Sequence, residues 1–173
     1  MRTKLHLAIF MGGPSAEHEV SLKSGAQIMH ALNRKRYRIT PVLISKKGLW
    51  KIGNAAPVSL GLGIEALVRM HIDVAVILAL HGEFGEDGRM QALLEAAGIP
   101  YTGSGVLASA LGMDKVRSAE LFRVHGLFVP PFISFTKKES TGKKLFARVR
   151  KEIGFPCVVK PVHLGSSVGV SIV

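Results

Sequence analysis

Residues 73–88, "DVAVILALHGEFGEDG", decide the architecture. After Asp73 the run to Leu80 is continuously apolar, the pattern of a central parallel strand covered on both faces rather than one with a wet side. It stops at His81, and a Gly-rich acidic loop follows. In the next segment, 89–97, Met90, Leu93, Leu94 and Ala97 recur with the helical period, Gly98 ends the pattern and Pro100 lies just beyond. A buried strand that feeds a helix through a polar loop is the unit of a parallel α/β sheet.

The N-terminal side repeats that unit. Residues 5–11, "LHLAIFM", form a strand turned by Gly12, Gly13 and Pro14, and a helix over 17–33 places Val20, Ser24, Ile28 and Leu32 on one face. Residues 37–44, "YRITPVLI", read as a second strand in which Pro41 calls for an edge or a bulge. "KKGLWKIG" is a short hairpin arm, and 62–70 is helical. The order strand, helix, strand, strand, helix predicts a doubly wound, Rossmann-like parallel sheet, whose ligands lie beyond the C-terminal ends of its strands. Two loops satisfy that rule, Gly12 to Glu19 and His81 to Gly88, and both belong at the same edge of the sheet.

Beyond residue 104 the pattern changes. "SGVLASALG" is a short helix of small residues, and "MDKVRSAELFRVHG" a second with Asp114 as N-cap. "PPFISF" reads as a strand, and 140–153 as a helix with Leu145, Phe146, Val149 and Ile153 on one stripe. "CVVKPV", a loop and "VGVSIV" form a hairpin. The expected organisation is a parallel-sheet domain over 1–103 followed by an α+β module over 104–173.

Composition sets the bounds. A chain of 173 residues buries roughly 70% of its extended surface, enough for one full domain or one and a half smaller ones. The single Cys157, in an apolar strand, precludes an internal disulfide and fits a reducing cytoplasm. "MRTKLHLAIFMGG" lacks a small-residue cleavage site and reads as the first strand, not a signal peptide, and no apolar run approaches the roughly 20 residues needed to span a bilayer. The net charge of +11 is scattered over "NRKRYR", "SKKG", "TKKE" and "GKKLFARVRK" with little aromatic interleaving, which argues against nucleic acid; an anionic small substrate, or a basic half whose acidic partner half is absent, explains the charge as well.

Among the motifs, Gly103, Gly105 and Ala108 match a dinucleotide fingerprint, but in the wrong place: that fingerprint belongs to the first strand-to-helix turn of its sheet. No P-loop sequence occurs. In "VVKPVHLGSSVGVSIV", residues 158–173, successive N–H groups of the Gly-Ser-Ser loop can converge on phosphate oxygens, Gly165 and Gly169 permit close approach, and Lys160 adds a point charge. Glu17, at the start of the first helix, reads as a partner of the helix dipole. Glu19 reads equally as a second partner of that dipole or as a receiver of a substrate ammonium, and His81 terminates a strand where sites are built. No metal-ligand spacing is present.

In order, "MGGPSAEHEVSLKSG", "LHGEFGEDGRMQALLEAAGIPYTGSGVLASALGMDK" and "GFPCVVKPVHLGSSVGVSIV" closely resemble the N-terminal part of the D-alanine:D-alanine ligase family of the ATP-grasp superfamily. "VILALHG" departs by lacking the aromatic-proline pair that often precedes the histidine. The resemblance implies a preATP-grasp domain followed by an incomplete ATP-grasp N-terminal subdomain. It also implies an activity in which ATP phosphorylates one D-alanine and the amine of a second attacks the acyl phosphate, in the making of a peptidoglycan precursor. Carried over by motif, Glu19 would hold the ammonium of the first D-alanine and His81 would shape that subsite. Ser166 would order the active site, Lys115 and Lys160 would grip ATP phosphates, and the loop Gly165, Ser166, Ser167, Val168, Gly169 would cover them.

The resemblance further implies Mg2+ with ligands outside this chain, a homodimer, and a C-terminal half whose acidic ligands have no match here. The expectation is therefore a partial ligase without turnover by itself, its 104–173 module less protected than 1–103. The alternative is a noncatalytic amino-acid or nucleotide binder, or a dimerisation module, derived from the ligase.

Overall fold

The computed structural model describes residues 4–140 and 142–173. They form two compact units, Met1–Ala110 and Leu111–Val173.

In the first unit, β1 (Leu5–Gly12), α1 (His18–Ala31), β2 (Tyr37–Ile44), β3 (Trp50–Ile52), α2 (Leu60–Arg69), β4 (Val74–Val76) and α3 (Arg89–Ala96) follow one another. The sheet order is β3-β2-β1-β4. β1 pairs in parallel with β2 and β4, and β3 returns antiparallel on β2. Beyond β4 a single parallel bridge joins Ala75 to Tyr101.

The two faces of β1 explain why its sequence is apolar without alternation. Ala8 and Phe10 point into a core with Val42, Ile44, Trp50, Leu67, Met90 and Leu94, so α2 and α3 cover that face. Leu7, Ile9 and Met11 point the other way, against Leu22, Ile28, Met29 and Leu32 of α1 and the loop after it. Side chains alternate along a strand, so a strand with helices on both sides must be apolar at every position. The helices approach closely where glycine allows it. A Cβ on Gly25 of α1 would stand 2.7 Å from Met11 Cβ, and one on Gly63 of α2 would stand 2.7 Å from the Trp50 ring.

Several expectations need correction here. β4 is three residues long, not eight: Leu80 donates its N–H to Ile77 at 2.9 Å, and the chain turns there with Leu78 61% exposed. Nor is its position central: β4 ends the four-stranded order, with only the single Ala75–Tyr101 bridge beyond it, and β1 has the full-length parallel partner. α1 buries His18, Ser21 and Gly25, whereas Val20 is exposed. The buried stripe thus runs through polar and small residues that a hydrophobicity pattern passes over. Pro41 forms no bulge. It lies in register with Ile9, just outside the stretch Val42–Ile44 that β3 pairs, so its missing N–H interrupts no ladder.

The second unit holds α5 (Lys115–Val124), α6 (Lys143–Glu152) and the antiparallel pair β5 (Val158–Val159) and β6 (Ser171–Ile172). Asp114 caps α5 as expected, accepting from the N–H groups of Val116 and Arg117. "PPFISF" is not a strand. This segment is irregular, with the Arg123 guanidinium 4.4 Å above the Phe132 ring and donating to the Pro130 carbonyl. The division between the units falls inside α4 (Val106–Met113). Its start packs on the first unit, where a Cβ at Gly88 would stand 2.8 Å from the Val106 carbonyl oxygen.

Candidate active site

In the first unit the site begins where β1 ends. Gly12 and Gly13 both have positive φ, +89° and +98°, and a Cβ on Gly12 would stand 2.2 Å from the Ile44 carbonyl oxygen. Only glycine fits. This tight turn starts α1, and three of its side chains bind the sheet edge. Ser21, fully buried, accepts from Gly12 N–H at 2.8 Å and donates to the Ala79 carbonyl at 2.5 Å. His18 Nδ1 lies 2.7 Å from the Gly13 carbonyl. Ser24 Oγ lies 3.0 Å from His81 Nε2. Together with Ser15, which donates to the His81 carbonyl at 2.7 Å, these bonds bring the Gly12 to Glu19 loop and the His81 to Gly88 loop to one edge.

Two carboxylates lie at His81's neighbour, Gly82, and neither is Glu19: Glu86 accepts from the Gly82 N–H at 2.5 Å, and Glu17 lies against the Gly82 backbone. A Cβ on Gly82, which has φ +69°, would stand 2.8 Å from Glu17 Oε2. Glu19 is 72% exposed and lies 3.7 Å from Lys46. The helix begins at His18, and its rotation points Glu17 back across the loop and Glu19 out to solvent.

The His81 loop is held by charges and amides. Asp87 accepts from the N–H of Phe84 at 2.8 Å and of Arg89 at 3.1 Å, and Arg89 binds both Asp87 and Glu83. Burial opposes ionisation of Asp87, but these hydrogen bonds, Arg89's side chain first, outweigh it and hold the carboxyl below its ordinary value. The same bonds to Asp87 and Glu83 raise the Arg89 guanidinium above its own. The clasp fixes Phe84 at φ +73°, a conformation a bulky residue adopts only under constraint. Gln91, buried on α3, donates to the Gly85 carbonyl at 3.0 Å.

In the second unit, Gly165, Ser166, Ser167 and Gly169 lie in the connection between β5 and β6, with Ser166 at φ +54° and Gly169 at φ +72°. A Cβ on Gly169 would stand 2.8 Å from Pro161 Cγ, so the loop folds back on the Lys160–Pro161 segment. Lys160 is exposed. Lys115, at the first turn of α5, reaches this loop: its ammonium donates to the Val162 and Leu164 carbonyls at 3.2 and 2.6 Å. The structure thus gathers His81, Glu17 and three serines in one unit and Lys115 with the glycine loop in the other. Hydrophobic periodicity did not single out Ser15, Glu17 and Ser21, because it passes over polar side chains; in "SAEHEVSLKSG" the buried His18, Ser21 and Gly25 recur at helical spacing, but as polar and small residues.

Among the described residues, no group of three or more His, Cys, Asp and Glu side chains is placed to hold a metal ion, and no helix is long and apolar enough to cross a membrane. The described residues do not fit a magnesium site.

Family profiles then match both parts: that described as "D-ala D-ala ligase N-terminus" over residues 6–66 and 64–104, and that described as "D-ala D-ala ligase C-terminus" over 121–173. The chain belongs to the D-Ala-D-Ala ligase family. Among relatives of this ligase-family chain, a D-alanine--D-alanine ligase of Geobacter sulfurreducens is 46% identical over 167 residues, covering 96% of the chain and 46% of the relative. The D-Ala:D-Ser ligase VanG from Enterococcus faecalis superposes with a TM-score of 0.79 at 28% identity, over 98% of the chain and 55% of that structure. The Bacillus anthracis D-alanine--D-alanine ligase complexed with ATP does so with a TM-score of 0.72 at 34% identity, over 98% and 50%. The ligase-family chain spans about half the length of the curated relatives it matches.

Proposed function

We propose that the chain serves as the N-terminal portion of an ATP-dependent D-alanine:D-alanine ligase. The observation that carries this reading is the convergence of Glu17, His81 and Ser24 at the edge of a parallel sheet in a chain of this family. A carboxylate and an imidazole at that edge suit the ammonium and carboxylate of a small zwitterion. The Bacillus anthracis relative complexed with ATP supports a nucleotide as substrate, and a glycine-serine loop held by Lys115 beside Lys160 is suited to phosphates, which assigns Lys115, Lys160, Gly165, Ser166, Ser167 and Gly169 to that part.

In this reading the carboxylate of the first D-alanine attacks the γ-phosphorus of ATP, and ADP leaves. The amine of the second D-alanine then attacks the acyl phosphate, loses a proton and expels inorganic phosphate. The chain's own part is to bind and orient. Glu17 takes the ammonium of the first D-alanine in place of Glu19, because Glu17 lies against Gly82 while Glu19 points to solvent and Glu86 is engaged by the Gly82 N–H. His81, steadied by Ser24, shapes the subsite. Ser166 orders the site from the loop. Mg2+ with ligands outside the chain, a cytoplasmic setting and a homodimer belong to the same reading.

The test is a chimera in which residues 1–173 replace the corresponding part of a full-length relative. Phosphate release that requires both ATP and D-alanine, and that falls with His81→Asn, is the expected result. A chimera that folds cooperatively and binds ATP yet releases no phosphate on adding D-alanine would overturn the proposal.

A further inference from the structure

Lys115 stands at a rigid place and touches a soft one. Its own N–H donates to the Val162 carbonyl at 3.3 Å, and its ammonium donates to Val162 and, at 2.6 Å, to Leu164. The helix end beneath it is fixed by the double acceptance of Asp114. Held on the other side are the residues that lead straight into Gly165–Gly169, where Ser166 keeps a positive φ that a side chain disfavours. That conformation persists only if something outside the loop restrains it, and the two carbonyls just before Ser166 are where the restraint is applied.

We propose that Lys115 is a positioning residue that latches the glycine loop through the Val162 and Leu164 carbonyls and is drawn off it by phosphate. An ammonium has three N–H donors, and two are directed at neutral carbonyls. A phosphate oxygen is a charged acceptor and makes the stronger, shorter bond to the same group. Phosphate arriving at the loop therefore competes for Lys115, and the loop, no longer tied to α5, is free to fold over the phosphate that replaced it. The holding half rests on the distances alone. The release half rests on the phosphate-loop reading above.

Hydrogen exchange on the full chain tests the two halves separately. Without ligand, Lys115→Met is expected to speed exchange across 162–170 about tenfold, the loss of one charged hydrogen bond, with 116–124 unchanged; Lys115→Arg restores part of the protection. Exchange across 162–170 equal to that of the unmodified chain overturns the latch. If Lys115→Met also unsettles α5, the 15N signal of the Lys115 ammonium in the unmodified chain decides. It should be visible through slow exchange and shift saturably with tripolyphosphate. A fast-exchanging, unobservable ammonium overturns the holding role. Loop protection by tripolyphosphate without a shift overturns the release. If tripolyphosphate changes neither, the phosphate reading of the loop fails while the latch stands on the Lys115→Met result.

Discussion

The hydroxyl of Ser21 donates to the carbonyl of Ala79, 58 residues away, at 2.5 Å, and is fully buried as it does so. Its oxygen also accepts from Gly12 N–H. One small side chain thus joins the end of β1, the first helix and the segment that leads into His81. Ser21→Ala leaves a buried donor and a buried acceptor unpaired, and should destabilise the first unit by about 1–3 kcal/mol. Urea unfolding followed by the fluorescence of Trp50, buried in that unit, measures it. A change below a few tenths of a kcal/mol would show that water replaces the hydroxyl.

Gly82 is predicted to be intolerant of a side chain for two separable reasons. Its φ of +69° costs an alanine roughly 1–2 kcal/mol, and the added methyl group would stand 2.8 Å from Glu17 Oε2. Gly82→Ala should therefore lower stability and displace Glu17. In the double variant with Glu17→Ala the steric part disappears and only the backbone part remains. Equal losses in the single and double variants would show that Glu17 does not occupy the place seen here.

How far the sequence led depends on what kind of signal each residue carries. The parallel sheet was legible because β1 is buried on both faces and so reads, His6 apart, as an apolar run without alternation, followed by a glycine turn and a helix. Asp114 was legible as a cap because the position after a helix break demands an acceptor. His81 was legible by position, at the end of an apolar run beside glycine. The length of β4 was not: Ile77, Ala79 and Leu80 are as buried in a turn as they would be in a strand, and hydrophobicity reports burial, not hydrogen bonding. "PPFISF" failed the same way, its Phe132 lying under Arg123 instead of entering a sheet. Which of Glu17 and Glu19 faces the loop and which faces solvent depends on where the first helical residue falls, a matter of one residue that the sequence pattern does not resolve.

At the opposite end of β1, His6 makes the fold acid-sensitive. It is buried, its Nε2 lies 2.8 Å from Thr40 Oγ1, and desolvation first, then nearby Arg38, lower its pKa from 6.5, against weaker opposing contributions from the Met70 backbone and Asp73. A group with a lowered pKa is neutral in the fold and takes up its proton more readily in the unfolded chain. Its contribution to stability is therefore complete above pH 6.5 and is lost as pH falls from there towards the folded value. Urea midpoints of the unmodified chain should fall more steeply between neutral and mildly acidic pH than those of His6→Gln, which can keep a hydrogen bond to Thr40. Parallel pH profiles for the two proteins would remove His6 from the account.

The two glutamates at the start of α1 separate substrate binding from surface charge. Glu17 lies against Gly82, while Glu19 sits in solvent near Lys46. A hydrogen bond to a charged group is worth about 1.5–3 kcal/mol, or roughly a tenfold to hundredfold change in binding. In the chimeric ligase, Glu17→Gln should therefore raise KM for the first D-alanine by that factor, and Glu19→Gln should leave it within about twofold, as expected of an exposed pair worth under about 1 kcal/mol. The unfolding midpoint of both variants should stay near that of the parent, because neither carboxylate caps α1 through its side chain. The reverse order of KM effects would return the ammonium to Glu19 and would mean that α1 starts one turn differently when substrate is bound.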